Sequence, residues 1–117
     1  MDLFKQNIRS IISATDSEIH EILSAFSLIE IKKGETLIKE NTFCHHYYFL
    51  EEGLLRFVYH SKDIAETSWV IFEGLFFTEI VSMKSKKRTN MSLKALEPSI
   101  VFAIDETSLN ELCDKVL

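Results

Sequence analysis

A single carboxylate followed by a cluster of positive charge is the part of this sequence best suited to ligand chemistry. Glu79 comes after two aromatic residues and a threonine, and four basic side chains lie within residues 84–88. If a strand ends at 75–77 and a short helical turn covers 79–83, the first N–H groups of that turn are unpaired and form an anion site. A carboxylate repels phosphate but accepts hydrogen bonds from hydroxyls, so the two features together predict a sugar phosphate as the ligand.

Simpler interpretations of the same residues stay open. Glu79 at a helix start can accept hydrogen bonds from the N–H groups of its own turn. The basic residues 84–88 can form an ordinary solvated loop. Thr89 and Asn90 can hydrogen-bond an anion, or they can face water at the edge of a strand.

Cys44, His45 and His46 carry the side chains that suit zinc, but their spacing does not suit a metal site. Adjacent residues of a strand point to opposite faces, and His46 and Glu51 also diverge. No serine, histidine and aspartate or cysteine and histidine arrangement is interpretable, and no pair of acids stands out. We therefore predict that the chain holds no metal and is not an enzyme.

Composition favours one cytoplasmic domain. The chain has 117 residues, of which 46% are hydrophobic and 26% are charged, enough for a single hydrophobic core. Its net charge of -5 weakens the case for direct nucleic-acid binding, because that affinity comes mostly from neutralising phosphates. No apolar run approaches the roughly 18 residues that span a bilayer, and residues 1–10 lack the apolar core of a secretory signal. No membrane association is therefore predicted.

The first 26 residues are predicted to be a helical lead-in. Thr15 and Glu18 have the spacing of a capping box, which marks the start of a helix. Apolar residues then recur at helical spacing. The same spacing of apolar residues ahead of Thr15 predicts an earlier helix.

Residues 27–104 are predicted to form a β barrel. Short β-rich runs alternate with turns, and all three glycines, Gly34, Gly53 and Gly74, fall at those turns, where positive φ is most often needed. Such spacing indicates an antiparallel sandwich or barrel. Trp69 and the phenylalanines are predicted to lie in its core rather than to form a stacking platform.

Residues 105–117 are predicted to start a C-terminal helix, capped by Asp105 or Thr107. Leu109, Leu112 and Val116 lie on one face of it. An apolar stripe at this place either folds back on the barrel or pairs with another copy of the chain.

Four motifs in order resemble the cyclic-nucleotide-binding domain of the Crp/Fnr, or catabolite activator, family of transcription regulators. The resemblance covers nearly the whole chain. The motifs are KKGE at 32–35, FLEEGLLRFVY at 49–59, FFTE at 76–79 and SLKALE at 92–97. The resemblance implies a mainly β fold, a double-stranded β-helix or jelly-roll barrel with N-terminal helices and a C-terminal helix.

The family's phosphate-binding cassette reads approximately F-G-E-L, then about ten residues, then R-[ST]-A-x-V-x-A. Its glutamate holds the ribose hydroxyl and its arginine holds the cyclic phosphate. Phe77 and Glu79 match this pattern, Ile80 stands for the leucine, and Thr78 replaces the glycine.

The arginine position of the cassette is occupied by Thr89. Counting ten residues forward from Glu79 and counting back from Ala95, which matches the closing alanine, both reach Thr89. Asn90 follows at the serine or threonine position. Arg88 comes one residue early, and in extended chain it points away from the face of Thr89.

The resemblance implies an effector-sensing domain of a Crp/Fnr-type regulator, here with a degenerate nucleotide pocket that binds cyclic AMP weakly or not at all. The candidate effectors are cyclic AMP, cyclic GMP or another small phosphate-containing molecule, and no cofactor is otherwise expected. The candidate ligand-binding residues are Thr78, Glu79, Ile80, Arg88, Thr89 and Asn90.

The resemblance also implies a homodimer paired through the C-terminal helix. DNA would be bound only by a further domain, which is absent from residues 1–117. The alternative is a dimerisation or protein-interaction module with no small-molecule ligand.

Overall fold

The computed structural model describes residues 2–60 and 65–116. Two helices precede the strands, one helix lies between the sixth and seventh strands, and one helix follows the last strand. The helices are α1 (Asp2–Ile11), α2 (Asp16–Ala25), α3 (Ile80–Ser85) and α4 (Glu106–Val116). The strands are β1 (Ser27–Ile31), β2 (Thr36–Ile38), β3 (His46–Glu52), β4 (Leu55–His60), β5 (Ala65–Ile71), β6 (Phe76–Phe77), β7 (Met91–Ala95) and β8 (Ser99–Asp105).

The strands form two antiparallel sheets that enclose the main core. Their orders are β1-β8-β3-β6 and β2-β7-β4-β5. The predicted jelly-roll class is confirmed, but the predicted barrel does not close: in the part of the chain that the structure describes, no ladder joins one sheet to the other. The edge strands β2 and β6 have only three and two residues, too few to extend the pairing. The largest fully buried side chains of this core are Leu50, Leu55, Phe57, Leu93 and Val101.

The lead-in helices are fixed to the first sheet by aromatic packing. Phe4 is fully buried, and its ring centre lies 4.8 Å from that of Phe49, on β3, and 4.9 Å from that of Phe102, on β8. The Glu51 carboxylate accepts hydrogen bonds from the N–H groups of Leu3 and Phe4 at 2.9 and 2.8 Å. This contact satisfies two of the N–H groups that every helix start leaves unpaired.

The predicted capping box is confirmed. The N–H of Glu18 donates to the Thr15 hydroxyl at 3.2 Å, and the N–H of Thr15 donates to the Glu18 carboxylate at 2.9 Å. That second bond lowers the pKa of Glu18.

The three glycine turns also agree with prediction, since Gly34, Gly53 and Gly74 all have positive φ. Gly53 has a second constraint: a Cβ there would clash with the Ser99 hydroxyl oxygen. Glycine is therefore required at this position for both backbone conformation and space.

The prediction that Trp69 is a core residue is wrong. Its side chain is 48% exposed, although it packs on the buried Phe57 with ring centres 5.0 Å apart. The reason is its place on β5, an edge strand of its sheet.

The C-terminal helix folds back on the lead-in. Asp105 caps it, because the N–H of Ser108 donates to the Asp105 carboxylate at 3.1 Å. Lys115 and Glu21 form an ion pair of 2.7 Å between α4 and α2. Leu109 and Leu112 are partly buried, whereas the side chain of Val116, the third member of the predicted stripe, lies outside the described residues.

None of the helices in the described residues is long and apolar enough to cross a membrane.

Candidate functional site

The segment from β6 through α3 to the start of β7, residues 76–91, forms the candidate site and is called the cassette below. β6 pairs with β3, and the Phe77 ring stacks on Tyr48 with centres 5.3 Å apart. Lys86 ends α3 in the left-handed conformation, with φ of 59°. Burial raises the pKa of Tyr48 to about 12.

Glu79 is the N-cap of α3 rather than an open acceptor. Its carboxylate is buried, at 5% exposure, and accepts hydrogen bonds from the N–H groups of Val81 and Ser82 at 3.1 and 2.9 Å. The expectation that the helix start leaves unpaired N–H groups for an anion is therefore wrong for these two groups. The simpler interpretation, a carboxylate that caps its own turn, describes the geometry. A carboxylate has about four lone-pair sites, so Glu79 retains some capacity to accept from a ligand.

Thr78, at the family's glycine position, is bound to the neighbouring strand. Its hydroxyl donates to the His46 carbonyl at 2.7 Å and lies 3.4 Å from the Cys44 thiol. The N–H of Cys44 donates in turn to the Ser82 hydroxyl at 3.1 Å, inside α3. These bonds tie both ends of the first cassette turn to residues 44–46.

Thr89, the residue that the sequence count places at the arginine position, is buried. It is 3% exposed, and its hydroxyl accepts a hydrogen bond from the N–H of Met91 at 3.0 Å. Its backbone pairs with the loop before β3: its N–H donates to the Thr42 carbonyl at 2.8 Å, and its carbonyl accepts from the N–H of Asn41 at 2.7 Å. The side chain is thus small, neutral and already hydrogen-bonded.

Arg88 lies on the opposite, exposed side and is held there by the same loop. One guanidinium nitrogen donates to the Asn41 carbonyl at 3.0 Å, and the guanidinium carbon lies 4.8 Å from the centre of the Phe43 ring. Arg88 and Glu79 therefore have separate sets of partners. Asn41 itself has a positive φ of 66°.

The remaining candidate residues lie at the surface. Ile80 is 49% exposed, and Asn90 is exposed. Of the basic cluster, Lys86 forms an ion pair of 3.3 Å with Glu106 on α4. Of the candidate residues, Glu79 and Thr89 are thus buried and Thr78 is partly buried, whereas Ile80, Arg88 and Asn90 are exposed.

Sequence reasoning missed two contributors to the site. Ser82 is buried and its hydroxyl bridges the N–H of Cys44 and the carbonyl of Lys87. The loop 41–44 holds both Arg88 and Thr89. The local sequence signal for a turn in that loop is Asn41, because asparagine adopts the left-handed backbone conformation more readily than most residues. That signal does not indicate which segment the loop contacts.

No cluster of three or more histidine, cysteine, aspartate or glutamate side chains among the described residues is arranged to bind a metal ion.

Comparison with known proteins supports the fold and the family. The family model for the cyclic nucleotide-binding domain matches residues 28–116. A comparison with curated protein sequences finds no match.

Solved structures of sensor and regulatory domains share the fold. The sensor domain of the transcriptional regulator DNR from Pseudomonas aeruginosa is 15% identical, with a TM-score of 0.78 over 98% of this chain and 77% of that one. The catabolite activator protein of Thermus thermophilus is 17% identical, with a TM-score of 0.74 over 88% of this chain. The regulatory domain of Toxoplasma gondii PKA, solved with cAMP, is 12% identical, with a TM-score of 0.77 over 95% of this chain and 43% of that one.

The aligned part of this chain spans about half the length of the Thermus thermophilus protein, covering 48% of it. At these identities the structural likeness establishes the fold, and the family model supplies the assignment. Because that model covers most of the sequence, the chain belongs to the cyclic nucleotide-binding domain family.

Proposed function

We propose that this chain is the effector-sensing domain of a Crp/Fnr-type transcription regulator whose pocket no longer binds cyclic nucleotides in the family's usual way. It acts by binding rather than by catalysis. The observation that carries the proposal is the arrangement of two charged side chains of the cassette, Glu79 and Arg88. Glu79 accepts from the N–H groups of its own helix, and Arg88 is bound outside at Asn41 and Phe43.

The missing guanidinium sets the expected affinity. A hydrogen bond to a charged group contributes roughly 1.5 to 3 kcal/mol, and a micromolar complex corresponds to about 8 kcal/mol. Without the arginine, a family member of micromolar affinity falls to roughly 0.1 mM. The threonine at position 78 adds a Cβ and a bonded hydroxyl where the family has glycine, which further hinders a close approach to the backbone.

Titration calorimetry of Thr89→Arg with cyclic AMP and cyclic GMP tests this account. Restoring the guanidinium should tighten binding by about tenfold or more relative to wild type. Thr89→Val, which keeps the shape but has no hydroxyl or charge, is the matched control and should not gain affinity. Equal affinities in all three proteins, with each shown to be folded, would mean that the counted arginine position is not part of a ligand site.

A screen by thermal unfolding identifies which effector replaces the cyclic nucleotide. A ligand that binds the folded chain raises its unfolding temperature by mass action. Hydroxylated, phosphate-containing molecules are the class to screen, because Glu79 retains acceptor sites for hydroxyls and residues 84–88 carry four basic side chains.

The second candidate is a dimerisation or protein-interaction module. An apolar groove between α1, α2 and α4 favours it, and the groove is lined by residues such as Ile11, Phe76 and Leu112. Ile11 is 63% exposed. In sedimentation experiments, Leu112→Lys should lower self-association while the adjacent, exposed Glu111→Lys should not. A strict monomer at high concentration, unchanged by Leu112→Lys, argues against pairing through α4.

A further inference from the structure

A concentration of positive charge lies on the outer face of the second sheet, away from the cassette. Arg56 on β4 is paired directly opposite Lys94 on β7. Their strand neighbours Phe57 and Leu93 are buried in the core, at 1% and 0% exposure. Because successive side chains of a strand alternate between faces, Arg56 and Lys94 share the outer face, where like charges directly opposite each other are unfavourable.

The turn between β1 and β2 brings a third cation to the same place. The N–H of Gly34 donates to the Ala95 carbonyl at 2.8 Å, and the N–H of Ala95 donates to the Glu35 carbonyl at 3.0 Å. These two bonds hold the neighbouring Lys33 beside β7. One surface hollow of about 470 Å³ is lined by Lys33, Arg56, Lys94, Ser92, Val58 and Leu96, among others.

The charge of this hollow is opposite in sign to the net charge of the chain. Its described wall contains three basic residues and no carboxylate, although the whole chain has a net charge of -5. A second hollow, at the end of the other sheet, has the opposite character and is lined by Glu30, Glu35 and Glu52 with one lysine.

The chemistry of the wall defines the ligand class. A volume of about 470 Å³ falls in the range of small-molecule sites. Lysine and arginine side chains together bind phosphate groups, and the apolar Val58 and Leu96 can contact an organic part. Arg56 and Ser92 each have a further interaction within the protein, so the exposed Lys33 and Lys94 are the principal contacts.

We propose that this hollow binds a small organic phosphate at a site separate from the cassette. The two sites share no residue, because the described wall of the hollow contains none of residues 76–91. Lys33 and Lys94 are also exposed on the outer face, whereas Glu79 and Thr89 are buried within the cassette. The inference does not depend on the proposed sensor function.

Calorimetry with pyrophosphate at low ionic strength tests the charged part of the site. The double variant Lys33→Gln, Lys94→Gln should bind pyrophosphate about tenfold more weakly than wild type, or weaker still. Lys5→Gln, Lys39→Gln removes the same charge from two other exposed positions and should stay within twofold of wild type. No binding by wild type, equal affinity in both double variants, or equal loss in both would overturn the proposal.

Two further measurements separate a ligand site from a general charge effect. Phenyl phosphate should bind at least threefold more tightly than inorganic phosphate, because Val58 and Leu96 offer apolar contact; equal affinities would refute the organic part. In the free protein, Lys94→Gln should leave the unfolding temperature unchanged or higher, because a like-charge pair is removed. A lower temperature would contradict the unfavourable Arg56–Lys94 pairing from which the site is argued.

Discussion

Replacing Glu79 by alanine should destabilise the free chain, even though the family's equivalent residue contacts ligand. The carboxylate is 5% exposed and accepts from two backbone N–H groups at 3.1 and 2.9 Å. Loss of an N-cap side chain costs about 0.5 to 2 kcal/mol, and leaving a buried donor unpaired costs about 1 to 3 kcal/mol. We therefore expect Glu79→Ala to lower the free energy of unfolding by about 2 kcal/mol.

Urea unfolding followed by circular dichroism measures this change. Glu79→Gln keeps one oxygen acceptor and should lose about half as much. Glu97→Ala, at an exposed glutamate outside the cassette, serves as the control and should stay within about 0.5 kcal/mol of wild type. If Glu79→Ala is as stable as that control, the carboxylate does not hold α3, and the self-capped description of the cassette is refuted.

Three further outcomes follow from other contacts. Gly53→Ala should cost more than about 2 kcal/mol, whereas Gly34→Ala, with open space around its Cβ, should cost only the positive-φ penalty of about 1 kcal/mol; urea unfolding compares them. Hydrogen bonds from Ser108 lower the pKa of Asp105 below 3.8, so its contribution is present above pH 3.8 and is lost as pH falls through the lower, folded-state pKa; Asp105→Asn should flatten that part of the stability profile. Arg88→Ala should leave cyclic nucleotide affinity unchanged by calorimetry, because its guanidinium is bound outside the cassette.

Local signals in the sequence predicted the elements of the fold well. Thr15 and Glu18 are three residues apart and hydrogen-bond each other, so their spacing alone was enough to predict the start of α2. The three glycine turns were predictable for a similar reason, because glycine alone adopts positive φ without a steric cost. The failure of the two sheets to close into a barrel was not predictable in this way. It depends on how short the edge strands β2 and β6 become in the packed structure.

The cassette was predictable in outline but not in its contacts. Counting from Glu79 located Thr89, and alternation placed Arg88 on the other face. The partner of Arg88, however, is the Asn41 carbonyl, 47 residues away in the sequence, and such a contact depends on tertiary folding. The capping role of Glu79 could be proposed from sequence but not distinguished from ligand binding, because both roles use the same carboxylate at the same helix start.

Trp69, on β5, illustrates the same limit. Its type and apolar surroundings in the sequence favour the core, yet strand order leaves β5 at an edge and Trp69 48% exposed. As the one tryptophan of the chain, it gives fluorescence a single reporter.

The central claim is that the cassette's own contacts, and the threonine at its arginine position, have removed ordinary cyclic nucleotide binding. Titration calorimetry of the wild-type chain with cyclic AMP tests it most directly. The account predicts a dissociation constant of roughly 0.1 mM or weaker. A low-micromolar dissociation constant at one site per chain would contradict it.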